Sequence, residues 1–152
     1  MLTREFNLQP ALSHKQRLEE ICQMELAEIE QSYARERRVL ELLGELEQLG
    51  YEELELQHRL GKLDVAAIGL SFGDVQALQR KLEQQMLVLK DLDEKVQRKR
   101  EELVEISKAK KALEKLKEKH DIELTQAETR TENKVMDEIA TAQFHRRRKA
   151  EH

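Results

Sequence analysis

Between residues 75 and 113 the apolar positions recur with one unbroken heptad period. Stepping alternately by three and four gives Val75, Leu78, Leu82, Gln85, Leu89, Leu92, Val96, Lys99, Leu103, Ile106, Lys110 and Leu113. Nine of these twelve are apolar, and the residues between them are mostly Glu, Lys, Arg, Asp and Gln. A repeat of 3.5 residues sustained over that length predicts the seam of a coiled coil. A helix of this kind has a narrow apolar stripe and no pocket, so its work is contact with other proteins.

The first half of the chain also has helical spacing, in a looser register. Pro10 suits the first turn of a helix, where its missing N–H costs nothing. From there the pattern predicts a helix over about 10–63, with Leu12, Leu18, Cys22, Leu26, Ile29, Tyr33, Leu40, Leu43 and Leu46 among its apolar positions. Gly44, Gly50 and Gly61 each weaken it by about 1 kcal/mol relative to Ala, so bends or weak points are expected there.

The window 64–74 is the least charged in the chain and carries Gly69 and Gly73. Ser71 followed by Asp74 resembles a capping box with Asp in place of Glu. A turn is therefore expected over about 64–72 and a second helix over about 73–148. Asp91–Lys95 and Glu94–Arg98 are spaced to form ion pairs along that helix.

Two long helices joined by one turn predict an all-α fold: a two-helix antiparallel coiled-coil hairpin, one domain over 1–152, about 80 Å long. The competing architecture is one continuous helix paired with a second chain. Folding back about residue 68 sets Leu124 opposite Leu12 and leaves a C-terminal helical overhang of about 25 residues, more than about 30 Å. The heptad weakens there as well. The next register positions are Lys117, His120, Leu124, Ala127, Thr131, Lys134 and Glu138, of which two are apolar. Val135, Met136, Ile139, Ala140 and Phe144 form a small apolar stripe on this segment. It either serves a partner or packs against residues 1–10.

Composition agrees with a helical rod more than a layered globule. Charged residues are 38% of the chain, aromatics 3%, and Trp is absent, which leaves few large side chains for a broad core. The net charge of -4 argues against nucleic acid as a partner. The single cysteine, Cys22, allows no internal disulfide and suits a reducing compartment. The longest small or apolar run, 65–70, is far too short to span a membrane, and the N-terminus shows no signal core. These features predict a cytosolic protein able to dock peripherally on a membrane.

Candidate chemistry is sparse. There is no phosphate-binding glycine loop, His-Glu-x-x-His, paired cysteine or calcium loop, so no catalytic, cofactor or metal residue is predicted. His14 and His120 could approach one another near the open end of the hairpin. The basic run 145–149 gives the last fourteen residues a net charge of +3. It either offsets the helix dipole or meets an acidic surface or lipid headgroups. Leu70, Phe72 and Tyr51 are expected near the hairpin tip, as local packing or as a contact patch.

Several stretches resemble the FliJ family. They are Phe6-x-Leu8-x-x-x-Leu12, Glu25-Leu-Ala-Glu28, Lys111-Ala-Leu-Glu-Lys-Leu-Lys-Glu-Lys119 and Lys134-Val-Met-Asp137-Glu138-Ile-Ala140. The last is the most specific, and Pro10 within the first is a departure. The resemblance implies a non-catalytic stalk of the flagellar type III export apparatus, similar to the rotor stalk of F- and V-type ATPases. It implies binding to the hexameric export ATPase, to the membrane-embedded export gate and to export chaperones, at the inner face of the cell membrane. On this reading Met136, Asp137, Ile139, Ala140 and Phe144, with Phe6 and Leu8, form the ATPase-facing end, and truncation after His120 would abolish stimulation. Tyr51 and Leu78 mark the gate-facing patch, and the free chain is expected to be a monomer. The alternatives are a general coiled-coil scaffold or adaptor, an injectisome stalk, and a small chaperone that clasps clients between its helices.

Overall fold

The computed structural model describes residues 4–61 and 65–151. Two helices contain nearly all of them, α1 (Gln9–Arg59) and α2 (Val65–Ala150), with no strand among the described residues. The helices pack against each other as an antiparallel hairpin, the expected fold class. By internal contacts the chain divides into two compact units, Glu20–Val104, and Met1–Glu19 with Glu105–His152.

In the Glu20–Val104 unit the two helix segments meet along one seam. All nine heptad positions from Val75 to Leu103 are buried or half-buried. The facing seam of α1 is as regular: Cys22, Leu26, Ile29, Tyr33, Glu36, Leu40, Leu43, Glu47, Gly50, Leu54 and Gln57 are all buried or half-buried at strict three-four spacing. The looser register expected for helix 1 is therefore corrected. Its seam is interrupted chemically, not geometrically, because polar residues and one glycine occupy core positions. Leu46, one of the apolar positions named for this helix, is 49% exposed, and Glu47 takes the seam position instead.

Several polar seam residues find partners across the interface. Gln85 Nε2 donates to the Glu36 carboxylate at 2.6 Å and to the Glu36 backbone carbonyl at 2.7 Å. Gln57 donates to Ser71 Oγ at 3.4 Å, and Lys99 forms an ion pair with Glu25. Gly50 permits a close approach: a Cβ there would lie 2.8 Å from Cγ2 of Val75, itself 3% exposed.

The turn differs from expectation. α1 ends at Arg59, and Gly61 adopts φ +62°, the left-handed geometry that glycine enters without a Cβ clash. The Leu60 N–H donates to the Leu56 carbonyl at 3.0 Å and the Gly61 N–H to the His58 carbonyl at 3.3 Å, closing the helix end. α2 already begins at Val65, so residues 65–72, expected as turn, are helical. Ser71 is no cap. It is a half-buried residue inside the helix, in register with Val75, and accepts the Gln57 hydrogen bond. Packing of Ile68 and Ser71 on the seam offsets the poor helix propensity of Gly69 and Gly73. The part of the expected turn at residue 64 lies outside the described residues.

Cross-helix pairs in this unit, such as Tyr51–Gln79 and Glu25–Lys99, are arranged symmetrically about a point near residue 63, not 68. In the other unit Phe6–His120 obeys the same rule. By that rule Leu12, 2% exposed, falls opposite the neighbourhood of Glu114 and not the expected Leu124, and the groove it lines extends from Glu114 to Gln126. Ahead of α1, residues 4–8 are irregular, and the Gln9 and Leu12 N–H groups donate to the Phe6 and Leu8 carbonyls at 3.0 Å. Pro10 falls in the first turn, as expected. The Asp91–Lys95 pair forms at 3.4 Å. Arg98 instead donates to the Glu94 backbone carbonyl at 3.4 Å.

Candidate functional site

The seam of α2 runs further than its apolar pattern. Ile106, Lys110, Leu113, Lys117, His120, Leu124 and Ala127 are all half-buried in the second unit, although three of them are basic or titratable. Then it stops. Every described residue from 128 to 151 is exposed, including the register positions Thr131, Lys134 and Glu138. Residues 128–150 make about 35 Å of exposed helix at 1.5 Å per residue. Thr129, Thr131 and Thr141 turn their hydroxyls onto the carbonyls of Thr125, Ala127 and Asp137 at 2.8–2.9 Å, so these three hydroxyls are satisfied within the helix.

The apolar residues of the segment stand open, with Val135 48%, Met136 67%, Ile139 50% and Phe144 62% exposed. Met136, Ile139 and Phe144 share one face, and Val135 lies on the side opposite Phe144. Asp137 and Ala140 are exposed beside them. Phe6 and Leu8 are not brought to this group. The Phe6 ring packs on His120 with centroids 5.7 Å apart, and Leu8 is 43% exposed. The sixteen residues from His120 to Met136 correspond to about 24 Å of helix. The alternative in which the stripe packs against the N-terminal residues is therefore not what the described residues 4–10 do.

The gate candidates divide similarly. Tyr51 is 43% exposed, and its hydroxyl accepts a hydrogen bond from Gln79 Nε2 at 2.6 Å. Leu78, next to Gln79, points into the seam and is half-buried, so it joins the helices and offers little surface. Leu70 and Phe72 are 72% and 55% exposed, which removes the account in which they pack to hold the turn. His14 is exposed while His120 packs on Phe6, and among the described residues no three His, Cys, Asp or Glu side chains converge to hold a metal. Arg147, Arg148 and Lys149 occupy the last turn of α2, where they complement the helix dipole. Among the described residues no helix is long and apolar enough to cross a membrane.

Two features escape the apolar periodicity. The first is a polar layer in the seam. The Glu19 carboxylate accepts hydrogen bonds from Lys110 Nζ at 2.8 Å and Ser107 Oγ at 2.9 Å. These bonds, led by Lys110, hold the Glu19 carboxyl below the ordinary glutamate range, and the same pairing raises Lys110. A lowered folded-state pKa means that Glu19 contributes fully at neutral pH and its contribution is lost as pH falls through the depressed value. Urea unfolding of the native chain should therefore weaken from about pH 5 toward pH 3 more steeply than that of Glu19→Gln. Parallel curves for the two proteins would contradict this.

Cys22 lies in the seam, 2% exposed, with its thiol 3.8 Å from the Lys99 carbonyl. Burial, and secondarily Glu102, pushes the thiol pKa up. Its reaction with a thiol reagent in native buffer should be at least about a hundredfold slower than in denaturant. A rate within a few-fold of the unfolded chain would place Cys22 outside the seam. Crosslinking through Cys22 is correspondingly a poor probe for pairing between copies.

The second feature is an exposed leucine stripe on α1. Val39, Leu42, Leu46, Leu49, Leu56 and Leu60 are between 41% and 61% exposed. The first five each immediately precede a seam residue. The signal was present in the sequence as a second three-four spacing, blended with the first.

An antiparallel pair of long helices, with a polar-layered seam and an unpaired C-terminal segment, defines a coiled-coil protein that works through helix faces. The chain belongs to the FliJ family: the sequence model of the flagellar FliJ protein matches residues 4–149, nearly its whole length. It is thus a non-enzymatic component associated with flagellar type III protein export. Neither the curated proteins nor the solved structures yield a match.

Proposed function

We propose that this chain serves as the coupling stalk of the flagellar export machine, with its exposed C-terminal helix seated in the centre of the hexameric export ATPase. The observation that carries this reading is the abrupt end of the seam after Ala127, beyond which α2 continues as a well-formed helix with an open apolar stripe. Such a segment is costly to leave unpartnered, since isolated helices are only marginally stable in water. A hollow assembly that offers an apolar surface to the stripe and polar groups to the charged faces would cover it.

In this reading Met136, Ile139, Ala140 and Phe144 supply the apolar contact, and Asp137 a polar one. Phe6, packed on His120, and the exposed Leu8 add a contact at the base of the free segment. Tyr51, already oriented by Gln79, presents the gate-facing contact, with Leu78 supporting it from within the seam. Export chaperones released at the membrane are further partners, and the chain works in the cytoplasm against the inner face of the membrane.

The test is pull-down of the export ATPase by the double variant Ile139→Asp, Phe144→Asp, with helicity checked by circular dichroism. Binding reduced by at least about tenfold is expected, as for loss of central apolar anchors. Full binding by a folded variant would remove the assignment.

A further inference from the structure

The leucine stripe on α1 has no role in the hairpin. Six large aliphatic side chains in one line, all more than 40% exposed, are far from what a solvated helix face requires. They flank the seam on one side, so a third helix laid along them would pack as another strand of the same coiled coil. The surrounding charge is one-sided. From residue 38 to residue 60 the chain has six glutamates against two arginines, Arg38 and Arg59, which stand at the ends. Arg59 is already tied to Glu55 at 2.7 Å.

One helix with the complementary character is present in the protein itself. The C-terminal segment carries Met136, Ile139, Ala140 and Phe144 on one exposed face, followed directly by Arg146, Arg147, Arg148 and Lys149. From Met136 to Phe144 is eight residues; from Leu42 to Leu49 is seven. Aligned in parallel, Met136 meets Leu42, Phe144 meets Leu49, and the basic run lies along Glu52, Glu53 and Glu55. The reverse orientation would set that run against Arg37 and Arg38, so charge selects the parallel one.

We infer that the acidic leucine stripe of α1 is the seat of the C-terminal helix of a second copy, and that free chains associate through this contact. This departs from the expectation of a free monomer, and it stands independently of what the ATPase contacts. The contact joins two different surfaces, so it is heterologous.

Sedimentation equilibrium of the full chain from about 1 to about 200 µM tests it. Mass should rise with concentration, and the association should weaken as salt increases from about 50 to about 500 mM. Leu46→Glu with Leu49→Glu, at exposed positions that leave the seam intact, should lower the association constant at least about tenfold. Removal of residues 128–152 should do the same. Arg146→Glu with Arg147→Glu should weaken association, and adding Glu52→Arg with Glu53→Arg should restore it. A monomer throughout the range overturns the inference and frees the stripe for a helix of another protein. Association that survives the leucine variants, or a charge swap without rescue, overturns it too.

Discussion

Cut after Ala127, the chain is expected to keep its hairpin and lose its hold on the export ATPase. The boundary follows from the seam. Leu124 and Ala127 are still half-buried, whereas no described residue from 128 onward is. A cut after His120 would be ambiguous, because it removes two seam residues and disturbs the ring on which Phe6 packs. A cut after Ala127 removes only exposed helix. The shortened protein should therefore unfold at nearly the same urea concentration as the full chain. Its stimulation of ATPase activity should fall to the unstimulated rate, a loss of more than about 2 kcal/mol if the segment provides the central anchors of the contact. Undiminished stimulation by the 1–127 chain would show that the ring grips another surface. A large drop in unfolding midpoint would show that the segment stabilises the hairpin in a way its exposure does not reveal.

Gly50→Ala should destabilise the protein even though alanine is the better helix former. On propensity alone the change would stabilise by about 1 kcal/mol. The new methyl would lie 2.8 Å from Val75 Cγ2, closer than carbon atoms approach without strain. Val75 cannot swing aside, because it is 3% exposed and its β-branched side chain is stiff. Relieving the clash means separating the helices locally, and overpacking of this kind costs about 1–3 kcal/mol. The net is a loss of up to about 2 kcal/mol. Gly44→Ala is the matched control, since a Cβ there meets nothing within 4 Å and the same propensity gain of about 1 kcal/mol should appear undiminished. Chemical denaturation of both variants, and of Gly50→Ala combined with Val75→Ala, measures the coupling. If Gly50→Ala were as stabilising as Gly44→Ala, the close approach would not exist in solution.

Much of α2 was legible because its seam is written in apolar residues. From Val75 to Leu113 the heptad can be read by eye, and all twelve positions are buried or half-buried. The seam of α1 follows the same geometry but carries Lys15, Glu19, Glu36, Glu47, Gly50 and Gln57. A polar residue in a core position looks like an error until its partner is known. Glu19 makes sense beside Lys110, Glu36 beside Gln85, and Gly50 beside Val75. The exposed leucines of α1 added a second period, to which Leu46 belongs.

The fold-back point failed for a related reason. Glycine marks the possibility of a turn, and the window with two glycines was the natural choice. Gly69 and Gly73 remain helical because Ile68 and Ser71 beside them pack into the seam, whereas Gly61, with its positive φ, ends α1. The candidate functional residues were only partly legible. The apolar stripe after Lys134 was readable from spacing, but its separation from Phe6 depends on where the chain folds back.

The sequence alone determined that this protein is helical, that its helices pair through heptads, and that its far C-terminal helix lacks an apolar seam. Those properties are local, since each depends on residues within a few turns of one another. Tertiary structure decided the register of one helix on the other, which polar residues belong to the core, and which leucines face solvent. Each depends on a partner some 28 to 114 positions away, as for Tyr51 with Gln79 and Phe6 with His120. Complementarity between two surfaces is a property of the pair and is not encoded in the periodicity of either.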